Sequence, residues 1–229
     1  MLYNRSSFHS SFSIKEKFFS LDLTLLFSIL LLGVISIFAQ YSSSGGTFDY
    51  YSKSHAIRFS IIFVIFLFVS FTEIKFWHST SFLIFVFLVL LLLFVKFYGI
   101  QSQGSRRWVN LFVINLQPSE LMKIGIILFL SNYYHKISEG DVNKFRFLLY
   151  PVIAILTPFI LVLSQPDLGT AILILLSGVV VTWLAGVRWK IFAYLLLAAI
   201  ALAPIAISFL KPYQKSRILT FLNPDSDPL

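Results

Sequence analysis

Seven apolar stretches, separated by short polar or charged segments, constrain this chain more than any other feature. They run Leu21 to Ala39, Ile57 to Phe71, Phe82 to Val95, Leu121 to Tyr134, Phe147 to Leu163, Leu168 to Val187 and Ile191 to Leu210. A helix crosses the hydrocarbon of a bilayer with about 20 mostly apolar residues, and at that depth its backbone polar groups must be satisfied within the segment. The expected fold is therefore all-α, a polytopic integral membrane helical bundle with about seven transmembrane helices. A soluble domain is excluded, because 58% apolar and 12% charged residues would leave large apolar patches facing water. The second, third and fourth stretches are short, so their helices should extend into flanking residues such as Trp77, Trp108 and Tyr133, aromatics suited to an interface. The first stretch is too long for a signal peptide, and six more follow it.

The expected organisation is a cytoplasmic tail over residues 1–20, a membrane domain over 21–210, and the start of a large extracytoplasmic loop over 211–229. With the N-terminus inside, nine Lys and Arg fall on inner segments and eight on outer ones, a narrow margin for the positive-inside rule. Five of the outer eight sit in two clusters, Arg106-Arg107 and Lys211 to Arg217, as cations held for an anionic ligand would be. The chain has no Cys, and His9, His55, His78 and His135 offer no ligand pair at helical spacing, so no metal site is expected.

Two segments repeat faintly. Gln117-Pro118-Ser119-Glu120-Leu121 and Gln165-Pro166-Asp167-Leu168 each open a span from the same membrane face, with Ser or Asp expected to cap the helix and its positive dipole end facing outward. Within the first repeat, Glu120 and Lys123 share a helical face. Such a pair either staples helices or floors a polar cavity in which Lys123 faces phosphate. Asp167 reads more readily as a plain N-cap than as a functional carboxylate, and Asp22 needs no role beyond capping or snorkelling. Gly104-Ser105-Arg106-Arg107-Trp108 reads as a tight turn presenting two guanidinium groups beside an indole, suited to a diphosphate or to ordinary anionic lipid. Lys215 and Arg217 lie in a similar basic segment directly past the last span.

Together, Gly-Ser-Arg-Arg-Trp (104–108), Gln-Pro-Ser-Glu-Leu-Met-Lys (117–123), Gln-Pro-Asp-Leu-Gly-Thr-Ala (165–171), Leu-Ala-Gly-Val-Arg-Trp (184–189) and the run 213–229 resemble the SEDS family of shape, elongation, division and sporulation proteins. Within it, Ser-Arg-Arg-Trp, Tyr133-Tyr134-His135 and the terminal run look more like the rod-elongation (RodA) branch than the division (FtsW) branch. The resemblance implies a multi-pass enzyme of the bacterial inner membrane with a cytoplasmic N-terminus. It further implies a peptidoglycan glycosyltransferase that polymerises undecaprenyl-diphosphate-linked lipid II beside a class B penicillin-binding protein of the elongation machinery. No nucleic-acid partner is expected.

Expulsion of a lipid diphosphate by a sugar hydroxyl needs cations for the leaving group and a base for the hydroxyl, with a divalent cation such as Mg or Mn as a possible aid. The expected substrate-binding residues are Arg106, Arg107, Trp108, Gln117, Glu120, Lys123, Gln165, Asp167, Lys215 and Arg217. The resemblance leaves the catalytic residue unassigned here, since the family's Asp stands in a His-Thr-Asp-Phe segment beyond Leu229. The chain therefore resembles the N-terminal part of such a protein and is expected to be inactive alone. Two other readings remain: a flippase for the lipid-linked precursor, whose mark would be charges at mid-depth, and an inactive scaffold that keeps partner binding.

Overall fold

The computed structural model describes residues 21–102, 105–110, 115–138, 140–208 and 215. Among them are seven helices: α1 (Leu23–Ser43), α2 (Tyr50–Phe71), α3 (Ile74–Tyr98), α4 (Pro118–His135), α5 (Phe145–Ser164), α6 (Leu168–Leu184) and α7 (Trp189–Ser208). Each falls on one of the seven apolar stretches. The helical membrane bundle stands as expected, with one addition: a three-stranded antiparallel sheet, order β1-β2-β3, lies between α3 and α4. Its strands are β1 (Ile100–Ser102), β2 (Ser105–Asn110) and β3 (Asn115–Leu116).

Local chemistry sets most helix ends. Asp22 Oδ1 accepts from the amides of Thr24 at 2.9 Å and Leu25 at 3.1 Å, so Asp22 is the N-cap of α1. Asp49 caps α2 by accepting from Ser52 N at 2.8 Å, and this start lies seven residues before the apolar stretch. α3 likewise begins well ahead of its stretch and takes in Trp77, while α4 runs beyond its stretch at both ends, from Pro118 to His135. Trp108, by contrast, lies on β2 and extends no helix. Gln117 rather than Ser119 occupies the N-cap of α4, because Pro118 at the first helical position needs no amide partner; Ser119 is buried inside the first turn. α6 stops at Leu184, short of Val187, where Gly186 turns the chain at φ +94°. The expected end of α7 at Leu210 lies outside the described residues.

α3, α4, α5 and α6 pack around one core in which Leu88, Leu92, Met122, Ile126, Leu130, Val162 and Ile174 are buried. Glycine permits two close crossings within this core. A Cβ on Gly125 would stand 2.5 Å from Leu88 Cδ1, and one on Gly178 would stand 2.5 Å from Ile155 Cγ1. α1 and α2 form a hairpin joined through Ser36 Oγ and His55 Nε2 at 2.9 Å and Ser44 Oγ and Ser52 Oγ at 3.3 Å. Phe27, Phe38, Phe68, Phe87, Ile124 and Leu176 all face outward, as they should where the surrounding solvent is hydrocarbon. Among the described residues four helices, α1, α2, α3 and α5, are long and apolar enough to cross a membrane. The protein is a multi-pass membrane protein.

Because α3 runs up to the sheet and α4 runs back from it, the sheet, the α4 N-terminus and the α5–α6 turn share one end of the bundle. The α4–α5 loop lies at the other. There the Lys144 ammonium, and then the Ser138 hydroxyl, hold the Asp141 carboxyl below its ordinary pKa.

Candidate functional site

The sheet decides where the two arginines go. In the β1–β2 pairing Ile100 faces Trp108 and Gln101 faces Arg106, which leaves Arg107 as an extra residue on β2. Such a bulge re-aims a side chain and bends its strand. Arg106 is exposed, and its Nη1 donates to the Phe97 carbonyl at 3.1 Å. Arg107 turns inward instead, where its Nη2 donates to the Pro166 carbonyl at 3.1 Å and its Nη1 stands 3.7 Å from Asp167 Oδ2. The expected joint presentation of two neighbouring guanidinium groups is corrected accordingly: strand pairing sends them to different partners. Trp108 is partly buried beside Ile100.

The two Gln-Pro segments open their helices from the same end, and their side chains touch. Gln117 makes no cap bond to its own helix; its Nε2 donates across to Asp167 Oδ2 at 3.1 Å. Asp167 Oδ1 accepts from Thr170 N at 3.3 Å, so Asp167 is indeed the N-cap of α6. The reading of Asp167 as a plain cap is too narrow, because the same carboxylate, only 9% exposed, also meets Arg107 and Gln117. One buried anion thereby ties the sheet, α4 and α6 together. Arg107 Nε is buried without a hydrogen-bond partner. Gln165 is buried too, its Nε2 donating to the Leu92 carbonyl at 2.9 Å and fixing the α5–α6 turn against α3.

Glu120 and Lys123 pair on one face of α4, Nζ to Oε2 at 2.9 Å, with the Lys123 side chain 25% and the Glu120 side chain 53% exposed. The pair is therefore reachable from outside the bundle. The positive ends of α4 and α6, with Arg106 and Lys123, make this end of the molecule attractive to an anion. Lys215 is partly buried, and Arg217 lies outside the described residues.

A different cluster escaped the sequence reading. His78 and His135, on separate helices, meet edge to face with ring centroids 5.1 Å apart, beside the buried Asn132. Helical spacing cannot reveal a pair made by two helices; a polar Asn132 inside an apolar stretch was the available signal.

The family model FTSW_RODA_SPOVE, described as "Cell cycle protein", matches residues 17–229. FtsW of Buchnera aphidicola subsp. Schizaphis graminum, named a probable peptidoglycan glycosyltransferase, is 32% identical over 179 residues, 78% of this chain and 50% of that protein. MrdB of Escherichia coli K12, named a peptidoglycan glycosyltransferase, is 30% identical over 211 residues, 91% of this chain and 56% of that one. Among solved structures, a chain of a peptidoglycan synthase complex superposes with a TM-score of 0.72 at 26% identity, covering 89% of this chain and 60% of that chain. The rod shape determining protein RodA of Thermus thermophilus shares the fold, with a TM-score of 0.66 at 24% identity, over 81% of this chain and 60% of that chain. The chain spans about half the length of the curated relatives it matches. With the family model running over nearly its whole length and five motifs in family order, this chain belongs to the FtsW/RodA/SpoVE family, the one resembled by its sequence.

Proposed function

We propose that the complete protein is a peptidoglycan glycosyltransferase that polymerises lipid II into glycan strands for cell elongation and rod shape. One observation carries this reading: Gln117, Glu120, Lys123, Arg107 and Asp167 gather at one end of the bundle around two helix N-termini, in a family whose members include named peptidoglycan glycosyltransferases. In the reaction an acceptor sugar hydroxyl forms a bond to the donor's anomeric carbon. The bond to the diphosphate breaks, undecaprenyl diphosphate leaves with the electron pair, and the hydroxyl proton passes to a base.

Arg106 and Lys123, helped by the α4 and α6 dipoles, receive the developing charge on the diphosphate. Glu120 holds Lys123 in place. Asp167 has both oxygens committed, to Thr170 N on one and to Gln117 and Arg107 on the other, so it orders the site rather than taking the proton. The base is the family's Asp beyond Leu229, as the resemblance implies. Among the described residues no group of three or more His, Asp or Glu could cage a metal ion. A divalent cation such as Mg or Mn, if brought in by the diphosphate, would neutralise charge on the leaving group.

A class B penicillin-binding protein is the proposed partner, supported by the likeness to a chain of a synthase complex studied for coordinated polymerization and crosslinking. The proposed setting is the bacterial inner membrane, N-terminus inside and sheet outside. The flippase reading is not favoured, since the charged residues of α3 to α6 lie within the first two turns or the last turn of their helices. The test is polymerisation of lipid II by the protein made from its complete reading frame. Glycan strands from the wild type, and none from Lys123→Ala despite normal folding, support the reading; lipid II translocation without polymerisation would sink it.

A further inference from the structure

At the sheet end of the bundle Gln165 lies beyond the reach of a ligand, with only 4% of its surface exposed. The sequence places it among substrate-binding residues; its burial gives it a different task. Its Nε2 donates to the Leu92 carbonyl of α3 at 2.9 Å, and its own N–H donates to Val162 O at 3.0 Å, where α5 ends. The next two residues hold Arg107. The Pro166 carbonyl accepts from Arg107 Nη2 at 3.1 Å, and Asp167 Oδ2 stands 3.7 Å from Nη1. Both of these groups hang on the backbone directly after Gln165.

Leu92 is fully buried inside α3, where the helix ladder already gives its carbonyl a donor. The Gln165 amide is a second donor to an oxygen with two lone pairs, so its removal leaves no backbone group unsatisfied. Its consequence is placement. Apolar packing is non-directional, whereas a hydrogen bond from one side chain to one carbonyl sets where the α5–α6 turn sits along α3. Arg107 has little slack to compensate: its Nε is buried without a hydrogen-bond partner and its side chain is 24% exposed, so it offers a ligand its Nη edge. A displacement of about 1 Å at such a contact can cost on the order of a hundredfold in rate. We infer that Gln165 is a positioning residue, whose amide fixes the α5–α6 turn against α3 so that Pro166 O and Asp167 hold the Arg107 guanidinium toward the diphosphate. This rests on the glycosyltransferase reading, with Arg107 as a contact to the leaving group.

Lipid II polymerisation by the protein made from its complete reading frame, with Tm measured beside it, tests this. Gln165→Met keeps the side-chain volume and removes the donor. It should lower kcat roughly tenfold, with KM within about twofold and Tm within about 3 °C of the wild type. In an Arg107→Gln background the same change should cost nothing further, because the group it positions is already gone. A glutamine with a purely structural role would lower activity by the same factor in both backgrounds; that result, or full activity in Gln165→Met, would overturn the assignment. Where Gln165→Met does not fold, or Arg107→Gln leaves no activity to compare, Gln165→Glu decides. A neutral carboxyl donates to Leu92 O and a carboxylate does not, so kcat of that variant should fall as pH rises, on a limb the wild type lacks, while its Tm stays above the assay temperature. A profile parallel to that of the wild type would overturn the assignment. A wild type that makes no glycan strands would remove the glycosyltransferase reading and this role together, whereas the other adverse results remove this role alone.

Discussion

Asp167 shows how one side chain can hold three jobs at once. Asparagine at this position keeps one oxygen to cap α6, but its NH2 then replaces the oxygen that accepts from Gln117 and faces Arg107, and the charge opposite the largely buried Arg107 is lost. Asp167→Asn should therefore cost on the order of 2 kcal/mol and lower Tm by about 5 °C, and Asp167→Ala should cost about 1 kcal/mol more through the lost cap. Equal melting of the two variants would mean that the ion pair contributes nothing. The Glu120–Lys123 pair behaves differently because Glu120 is more than half exposed, so removing one partner strands no charge at low dielectric. A screened pair of this kind is worth about 0.3–0.5 kcal/mol. Glu120→Gln with Lys123→Met should leave stability nearly unchanged in the complete protein while abolishing lipid II polymerisation. Full activity in that double variant would remove the pair from the site.

α5 is the helix most dependent on a neighbour. Pro151 has no N–H, so the Phe147 carbonyl, four residues earlier, loses its helical donor. Tyr133 of α4 supplies the replacement, its hydroxyl donating to Phe147 O at 2.9 Å. An unsatisfied carbonyl facing hydrocarbon is costly, so Tyr133→Phe should destabilise by about 1–2 kcal/mol, read as a fall in Tm of roughly 3–5 °C in detergent. Adding Pro151→Ala restores a backbone donor and should recover most of that loss. If Pro151→Ala lowers Tm by the same amount with and without the Tyr133 hydroxyl, the two residues are not coupled through this carbonyl.

For the whole molecule, the lipid-facing apolar surface and the two polar ends fix an axis, and the direction of that axis is a matter for labelling. The chain has no Cys, so single cysteines report cleanly. With the N-terminus inside, Arg106→Cys should react with a membrane-impermeant thiol reagent in intact spheroplasts, while Lys144→Cys at the opposite end should react only after lysis. The reverse pattern would invert the orientation and move the sheet-bearing end to the cytoplasm.

Helix positions were legible in the sequence because span length, N-caps at Asp22 and Asp167, and the proline-led start of α4 are all set within a few residues. The shared end of the two Gln-Pro segments was legible too, since the number of spans between them determines it. The contacts were not. Arg106 and Arg107 are adjacent in sequence, yet only the pairing of β2 with β1, and the bulge it creates, separates them. Likewise, Asp167 meets Arg107 across sixty positions and His78 meets His135 across fifty-seven. Local pattern determines which segments become helices; which faces of those helices meet depends on side-chain fit at crossings such as Gly125 on Leu88, and that fit exists only once the helices are side by side.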